Sequence, residues 1–343
     1  VPAKIMRFSA RNTILVIRFS SMGDVAMTVP VLRNLLLQHS SLHVIMLSQQ
    51  HVSPLFNGID RLRFIGADFK GEHKGLLGLW RLFMSVYKET GSIPVADLHG
   101  VLRSAILSFF FKMHGSPVRS IDKGREQKRA LTRRNQKIIK PLIPTFDRYK
   151  QVFNLLGYSI QLENLPFTKK PISNSAFQIG FAPFAKHTGK SLPIPIAKRF
   201  IKSLLESVPC KLFLFGASGQ EAAQLASWEQ EFPATKNMAG QLELNKQLQV
   251  ISNLDLMITM DSANMHLASL VNTPVISIWG ATHPFAGFLG WGQSFENVVQ
   301  ADLSCRPCSV FSNKTCFRGD YACLQEIQPE QIVQRVRAYL CIS

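Results

Sequence analysis

The sequence predicts an α/β protein built from two doubly wound domains, and three observations carry that prediction. Short apolar runs rich in β-branched residues alternate with helical stretches. That rhythm stops near residue 160 and restarts near 175. The chain of 343 residues is also too long for one ordinary core and fits two domains of roughly 150 residues each.

The elements follow in order. Ile14-Leu-Val-Ile17 is continuously apolar, as a parallel strand covered on both faces requires. A polar turn, Arg18-Phe-Ser-Ser-Met-Gly-Asp24, leads into a helical stretch from Val25 to Gln38. His43 to Leu47 and Pro94 to Leu98 read as further strands, the latter ahead of a helical pattern from Val101 to Phe111. Strand, crossover helix, strand is the signature of a doubly wound sheet. Residues 159–175 hold Pro166, Pro171, Ser173 and Asn174 without periodicity and are expected to link the domains. Beyond them come strands at Gln178–Ala182, Lys211–Phe215, Leu256–Thr259 and Val275–Ile278. Helices are expected at Leu192–Val208, Gln220–Glu231, Ala263–Leu270 and Pro329–Leu340. The domains are set at residues 1–160 and 175–343, with the last helix free to pack on either.

Composition narrows the function class. Hydrophobic residues make up 46% and charged residues 18% of the chain, which is globular and not the low-hydrophobicity mixture of a disordered chain. No segment reaches the roughly 20 apolar residues that cross a bilayer, and the run after Arg11 is too short for a secretory leader. A cytoplasmic setting is expected, in which six cysteines stay reduced or hold a metal. The formal net charge of +17 concentrates polyanions without choosing among nucleic acid, an anionic membrane surface and a phosphorylated substrate.

Five constellations carry chemistry. In Ser20-Ser21-Met22-Gly23-Asp24, the loop should lie at the carboxyl end of the first strand, where open α/β sheets bind ligands. Asp24 is either an ordinary helix N-cap or a carboxylate that takes a proton from an attacking hydroxyl. The spacing G-x-G-x-x-G is absent. In Asp261-Ser262-Ala263-Asn264-Met265-His266, small residues at a helix start would let a diphosphate approach the backbone N–H groups. Asp261 would repel that phosphate, so it is expected to cap, to order the loop or to hold a sugar hydroxyl. His266 is either a satisfied half-buried histidine or a phosphate donor. The loop Lys186-His187-Thr188-Gly189-Lys190 can neutralise a diphosphate.

The fourth constellation is the basic tract from Arg119 to Lys140, which includes Lys123, Arg125, Lys128, Arg129, Arg133, Arg134 and Lys137. No aromatic residue interrupts it, which argues against a base-stacking surface. It is either a solvated face or a surface for phosphates and carboxylates. The fifth is Cys305-x2-Cys308-x7-Cys316-x6-Cys323, read either as a structural zinc site or as free thiols. Cys210 and Cys341 read as small apolar residues.

Taken together, these blocks resemble the heptosyltransferases of glycosyltransferase family 9, which build the inner core of lipopolysaccharide. Ile14 to Arg33 is similar to that family's opening signature, and Asp97-Leu-His-Gly-Val-Leu-Arg-Ser104 to its mid-domain block. Lys190-Ser-Leu-Pro193 resembles its phosphate-binding lysine motif. Asp261 to His266, followed by Thr273-Pro-Val and Trp279-Gly-Ala-Thr282, resembles its donor-site signature.

The resemblance implies a GT-B fold, two Rossmann-like domains with a central cleft. It implies inverting transfer of heptose from ADP-heptose to a lipid A–Kdo or heptosyl acceptor. Asp24 would be the general base. Thr188, Lys190, Asp261, Ser262, Ala263 and His266 would bind the donor. Ser21, Gly23, Arg103, Lys123 and Arg133 would meet the anionic acceptor. No cofactor would be required, since a lysine and helix N-termini can stabilise the leaving ADP, and no D-x-D motif ends a strand of the first domain. The partners would be ADP-heptose and an anionic glycolipid, with peripheral contact at the inner face of the cytoplasmic membrane and no nucleic acid. Another nucleotide-sugar transferase or epimerase on the same fold is the competing reading. A nucleic-acid binder is the remote one, and it leaves Asp24, Lys190 and Asp261 idle.

Overall fold

The computed structural model describes residues 12–163 and 176–342. The stretch before residue 12 and most of the expected linker lie outside the described residues. The chain divides into two units, Val1–Lys123 with Thr145–Glu163, and Gly124–Pro144 with Asn164–Ser343.

The first unit carries five parallel strands: β1 (Thr13–Ile17), β2 (His43–Gln49), β3 (Leu62–Ala67), β4 (Val95–Asp97) and β5 (Val118–Ser120). Their order is β3-β2-β1-β4-β5. All five residues of β1 are buried, as its unbroken apolar run demands when helices cover both faces. The helical stretch after β1 divides at Met27 into α1 (Met22–Ala26) and α2 (Thr28–Gln38). Two longer helices follow, α3 (Gly75–Thr90) and α4 (Leu102–Met113). Phe83, Phe111, Leu107 and Val86 from these helices pack with Leu15, Ile17 and Val95 into one core. Each fully buried side chain of this size contributes about 1.5–3 kcal/mol.

The helix α5 (Arg125–Thr132) belongs to the excursion 124–144, which groups with the second unit. The chain then returns, and α6 (Thr145–Leu155) packs on α2, β4 and β5 of the first. The boundary near residue 160 expected from the sequence therefore misses this excursion.

The second unit carries six parallel strands: β6 (Phe177–Ala182), β7 (Cys210–Leu214), β8 (Thr235–Asn237), β9 (Leu256–Met260), β10 (Val275–Trp279) and β11 (Val298–Gln300). Their order, β11-β10-β9-β6-β7-β8, is the Rossmann order with β6 as its first strand. The helices are α7 (Ile194–Ser207), α8 (Gln220–Glu231), α9 (Leu244–Ser252), α10 (Ala263–Leu270), α11 (Ala322–Gln325) and α12 (Pro329–Leu340). α12 packs against α7 and β10. Its Ile332 and Val336 join Phe200, Leu204 and Trp228 in the core.

In each sheet the strand order reverses once, between β1 and β4 in the first unit and between β6 and β9 in the second. Ligands of open α/β sheets bind outside the carboxyl ends of strands at such reversals. The register Ile17↔Asp97 and Ala182↔Thr259 sets the loops that open there side by side.

Candidate active site

At the first reversal Arg18 and Ser21 lie between β1 and α1, which carries Asp24, while Asp97 ends β4 and His99 and Gly100 follow it. Asp24 is the third residue of α1, while Ser21 occupies the N-cap position. The capping alternative is thereby corrected: Asp24 reaches back to the cap instead of being it. Its Oδ2 accepts from the Ser21 Oγ at 2.8 Å and the Ser21 backbone N at 3.3 Å. The same oxygen lies 2.8 Å from Arg18 Nη2.

Arg18 is buried to 8% exposure and is held in turn, its Nη1 donating to the Leu98 carbonyl at 2.7 Å. Burial alone would weaken its charge, but Tyr149, Asp24 and Asp97 around it outweigh burial and raise its pKa. From α6 the Tyr149 hydroxyl donates to the Asp24 backbone carbonyl at 3.2 Å, and burial pushes the phenol upward. The returning helix thus braces the loop that carries Asp24.

Asp97 shapes the second loop. Its Oδ1 accepts from the backbone N of His99 and of Gly100, both at 2.9 Å, and its Oδ2 from Ser104 Oγ at 3.0 Å. Gly100 has φ +57, and a Cβ there would meet Lys123 Cε at 3.2 Å. His99 is buried and packs edge-on to Phe19 at 5.8 Å. Burial, then the charges of Arg18 and Lys123, hold its imidazole down to about 3, with Asp24 and Arg103 also acting on it. Of the acceptor residues expected from sequence, Ser21, Gly23, Arg103 and Lys123 therefore gather around Asp24 and His99. Arg103 also lies over the Phe69 ring at 4.6 Å.

Arg133 lies in the excursion that groups with the second unit, where its Nε donates to the Gln136 carbonyl. Three side chains of that tract make contacts within the second unit. Lys128 sits over the Phe288 ring at 4.7 Å and Arg134 over Phe317 at 4.7 Å. Lys137 Nζ donates to the Cys305 carbonyl at 2.7 Å. Arg125, Arg129, Arg133, Arg134 and Lys140 are exposed, while Lys128 and Lys137 are half-buried.

At the second reversal Lys190 closes the short turn Thr188–Lys190 after β6, and Asp261 follows β9. Lys190 Nζ lies 2.7 Å from Asp261 Oδ2, with the side chains 16% and 6% exposed. The Thr282 hydroxyl donates to the same Oδ2 at 2.9 Å. Ion pairing with Lys190 is the role of Asp261 that sequence reasoning missed. Ser262 is the N-cap of α10, but its side chain does not cap the first turn; its Oγ lies 3.2 Å from Thr259 Oγ1. That leaves the start of α10, with Ala263, open to an anion. His266 is buried on the first turn of that helix.

Two glycines let these loops interlock. The Ala281 N donates to the Gly189 carbonyl at 2.9 Å, and a Cβ on Gly280 would come within 2.5 Å of that carbonyl oxygen. Beneath them Arg306 spends its guanidinium on main chain. It donates to the carbonyls of Gly280, Trp279, Thr282 and Ala301 and to Gln300 Oε1. Arg306 thereby holds the loop that presents Thr282 to Asp261.

Cys305, Cys308 and Cys323 lie near Arg306. Cys305, Cys308, Cys316 and Cys323 are all free thiols. Among the described residues no group of three or more His, Cys, Asp or Glu is placed to hold a metal ion. Burial and the neighbouring Cys316 and Cys305 push the Cys308 thiol up, and burial pushes Cys323 up to about 12.

Comparison with known proteins places this geometry. The model of glycosyltransferase family 9 (heptosyltransferase) matches residues 94–316. The chain belongs to glycosyltransferase family 9. Lipooligosaccharide heptosyltransferase 2 of Campylobacter jejuni subsp. jejuni serotype O:2 is 30% identical over 105 residues, 31% of this chain and 32% of that protein. The aligned part thus spans about a third of that curated relative. A family 9 glycosyltransferase structure from Veillonella parvula superposes with TM-score 0.72 at 17% identity, covering 99% of this chain and 100% of that one. The E. coli heptosyltransferase WaaC with ADP gives TM-score 0.68 at 17% identity over 95% and 99% of the two chains. At these identities the likeness establishes the fold, which is the GT-B type of the family 9 enzymes. Among the described residues no helix is long and apolar enough to cross a membrane.

Proposed function

We propose that this family 9 protein is an inverting glycosyltransferase that moves heptose from ADP-heptose to the inner core of lipopolysaccharide, on a lipid A–Kdo or heptosyl acceptor. The observation that carries the proposal is the matched pair of charged constellations, Arg18–Asp24 at one strand-order reversal and Lys190–Asp261 at the other.

Asp24 takes the proton of the acceptor hydroxyl as that oxygen bonds to the anomeric carbon. The bond from that carbon to the donor phosphate breaks, and ADP leaves with the electron pair. A general base of this kind contributes about 10²- to 10⁴-fold. Ser21 and Arg18 fix which way the carboxylate faces. Arg103 and Lys123 supply charge for the acceptor's phosphates and carboxylates.

Lys190 holds the donor diphosphate, with Thr188 beside it, while Ser262, Ala263 and His266 offer the start of α10. In the free protein the Asp261 carboxylate occupies Lys190. A diphosphate competes for the same ammonium, and Thr282 keeps Asp261 satisfied as Lys190 turns to it. The chain would work at the inner face of the cytoplasmic membrane, where its basic charge favours an anionic glycolipid.

The test is ADP release from ADP-heptose with and without a deacylated inner-core acceptor, for the wild type and Asp24→Asn. Release that depends on the acceptor and falls by about 10²-fold or more in the variant is the expected result. Folded protein that releases no ADP with any core acceptor would remove the heptosyl assignment.

A further inference from the structure

α4 is apolar on both sides. Ser104, Leu107, Ser108 and Phe111 face the core, as one stripe of a surface helix should. A second stripe, Leu102, Ile106, Phe109 and Met113, recurs at spacings of three and four residues and faces outward. Leu102 is 78% exposed, Phe109 56% and Met113 66%. The neighbouring α3 continues the stripe with Leu77 at 75% and Trp80 at 39%. The Trp80 ring meets Phe110 of α4 edge-on at 5.1 Å, so the two helices present one apolar surface. Contiguous exposed patches of this kind mark interaction sites, unlike single exposed leucines.

The charges on the same helices say what covers it. α3 and α4 together carry Arg81, Lys88, Arg103 and Lys112 against one carboxylate, Glu89. Glu89 is already paired with Arg63 at 2.5 Å. Large apolar side chains bordered by lysine and arginine, with the acid neutralised, suit an anionic lipid surface. A second copy of a chain with net charge +17 would bring the same cations face to face.

We propose that the α3–α4 face docks on an anionic bilayer, with Leu77, Trp80, Phe109 and Met113 entering the headgroup boundary and Arg81, Lys88 and Lys112 at the lipid phosphates. α4 begins directly after the loop that carries Asp97 and His99. Docking by this face therefore sets the loop of Asp97 and His99, which neighbours the Asp24 segment at the first strand-order reversal, beside the membrane. The inference rests on the reading that the acceptor is lipid-borne, and its test separates the two.

The measurement is co-sedimentation with vesicles of phosphatidylglycerol and phosphatidylethanolamine, against phosphatidylcholine vesicles, for the wild type and Phe109→Asp/Met113→Asp. Wild-type protein should bind the anionic vesicles and release from them at about 0.5 M salt, where charges are screened within a few ångströms. The double variant should bind about tenfold or more weakly. Trp80 reports the same event: Trp228 and Trp279 are fully buried, and the signal of the half-buried Trp291 is separated by the Trp80→Phe control. Its fluorescence should shift to the blue on binding, and Trp80→Phe should lose the shift. ADP release with a deacylated, soluble acceptor should be unchanged in the double variant, which also shows that it folds. Equal vesicle binding by wild type and double variant, or no wild-type binding, overturns the docking surface. So does a wild-type dimer that the variant makes monomeric. Vesicle binding in a protein that releases no ADP with any acceptor would leave the surface standing and remove the heptosyl reading instead.

Discussion

The Arg18 guanidinium is shared between the catalytic candidate and the scaffold: Nη2 lies 2.8 Å from Asp24 Oδ2 while Nη1 donates to the Leu98 carbonyl at 2.7 Å. One planar group thus ties the loop after β1 to the loop after β4, across the reversal of strand order where a ligand is expected. Arginine suits this because its fork donates in two fixed directions at once, which an ammonium on a flexible stem does not.

Arg18 is a positioning residue, and that role predicts a particular kinetic pattern. Arg18→Met keeps most of the stem and removes the fork, so Asp24 stays present without a fixed direction. Turnover should fall by about 10-fold to 10²-fold, the scale of a misplaced general base. KM for ADP-heptose should hold, because donor groups lie in the other unit. Arg18→Lys should recover little. Steady-state kinetics on both variants decide this; a rise in donor KM with unchanged kcat would assign Arg18 to binding instead.

The Lys190–Asp261 pair makes a second prediction, in which structure and chemistry separate. Asp261 is 6% exposed on its side chain, and removing one partner of a buried pair costs about 3–5 kcal/mol. Lys190→Met should therefore lower stability as well as activity. Adding Asp261→Asn removes the stranded charge while Thr282 can still donate to the amide oxygen, so the double variant should regain much of the stability. It should not regain donor affinity, because no ammonium meets the diphosphate. Urea unfolding and ADP binding on the two variants read these outcomes. If the double variant bound ADP as the wild type does, Lys190 would not be the diphosphate ligand.

These pairs also show what could be read from sequence. The central strands β1, β9 and β10 were legible because all of their residues are buried, so the apolar run is unbroken. The edge strands β5, β8 and β11 have three residues each and include Arg119, Lys236 and Gln300. Their pairing comes from a neighbouring strand and leaves no periodic trace. Asp24, Lys190 and Asp261 stand in local motifs and could be named. Their partners could not, since Lys190 meets Asp261 only because β6 and β9 are adjacent in the sheet. The fate of residues 124–144 was hidden for a similar reason. A run of lysines and arginines gives no sign that Lys128 lies over Phe288, Arg134 over Phe317 and Lys137 on the Cys305 carbonyl.

The last prediction concerns acid. His99 is held down to about 3 by burial and by Arg18 and Lys123, and burial holds His283 down to about 4. In the unfolded chain both titrate near 6.5. Below that pH the unfolded state binds protons that the folded state refuses, so stability falls as the pH drops and is flat above it. The loss from each histidine approaches about 1.4 kcal/mol per pH unit below 6.5 and ends near its folded value. Between about pH 6.5 and 5 most carboxylates are still ionised, so the slope there belongs mainly to histidines. His99→Gln should flatten part of that slope in urea unfolding, and His99→Gln/His283→Gln more of it. If the single variant kept the full wild-type slope, the buried imidazole beside Asp24 would have to be charged in the folded protein, and Arg18 and Lys123 would then face a third cation.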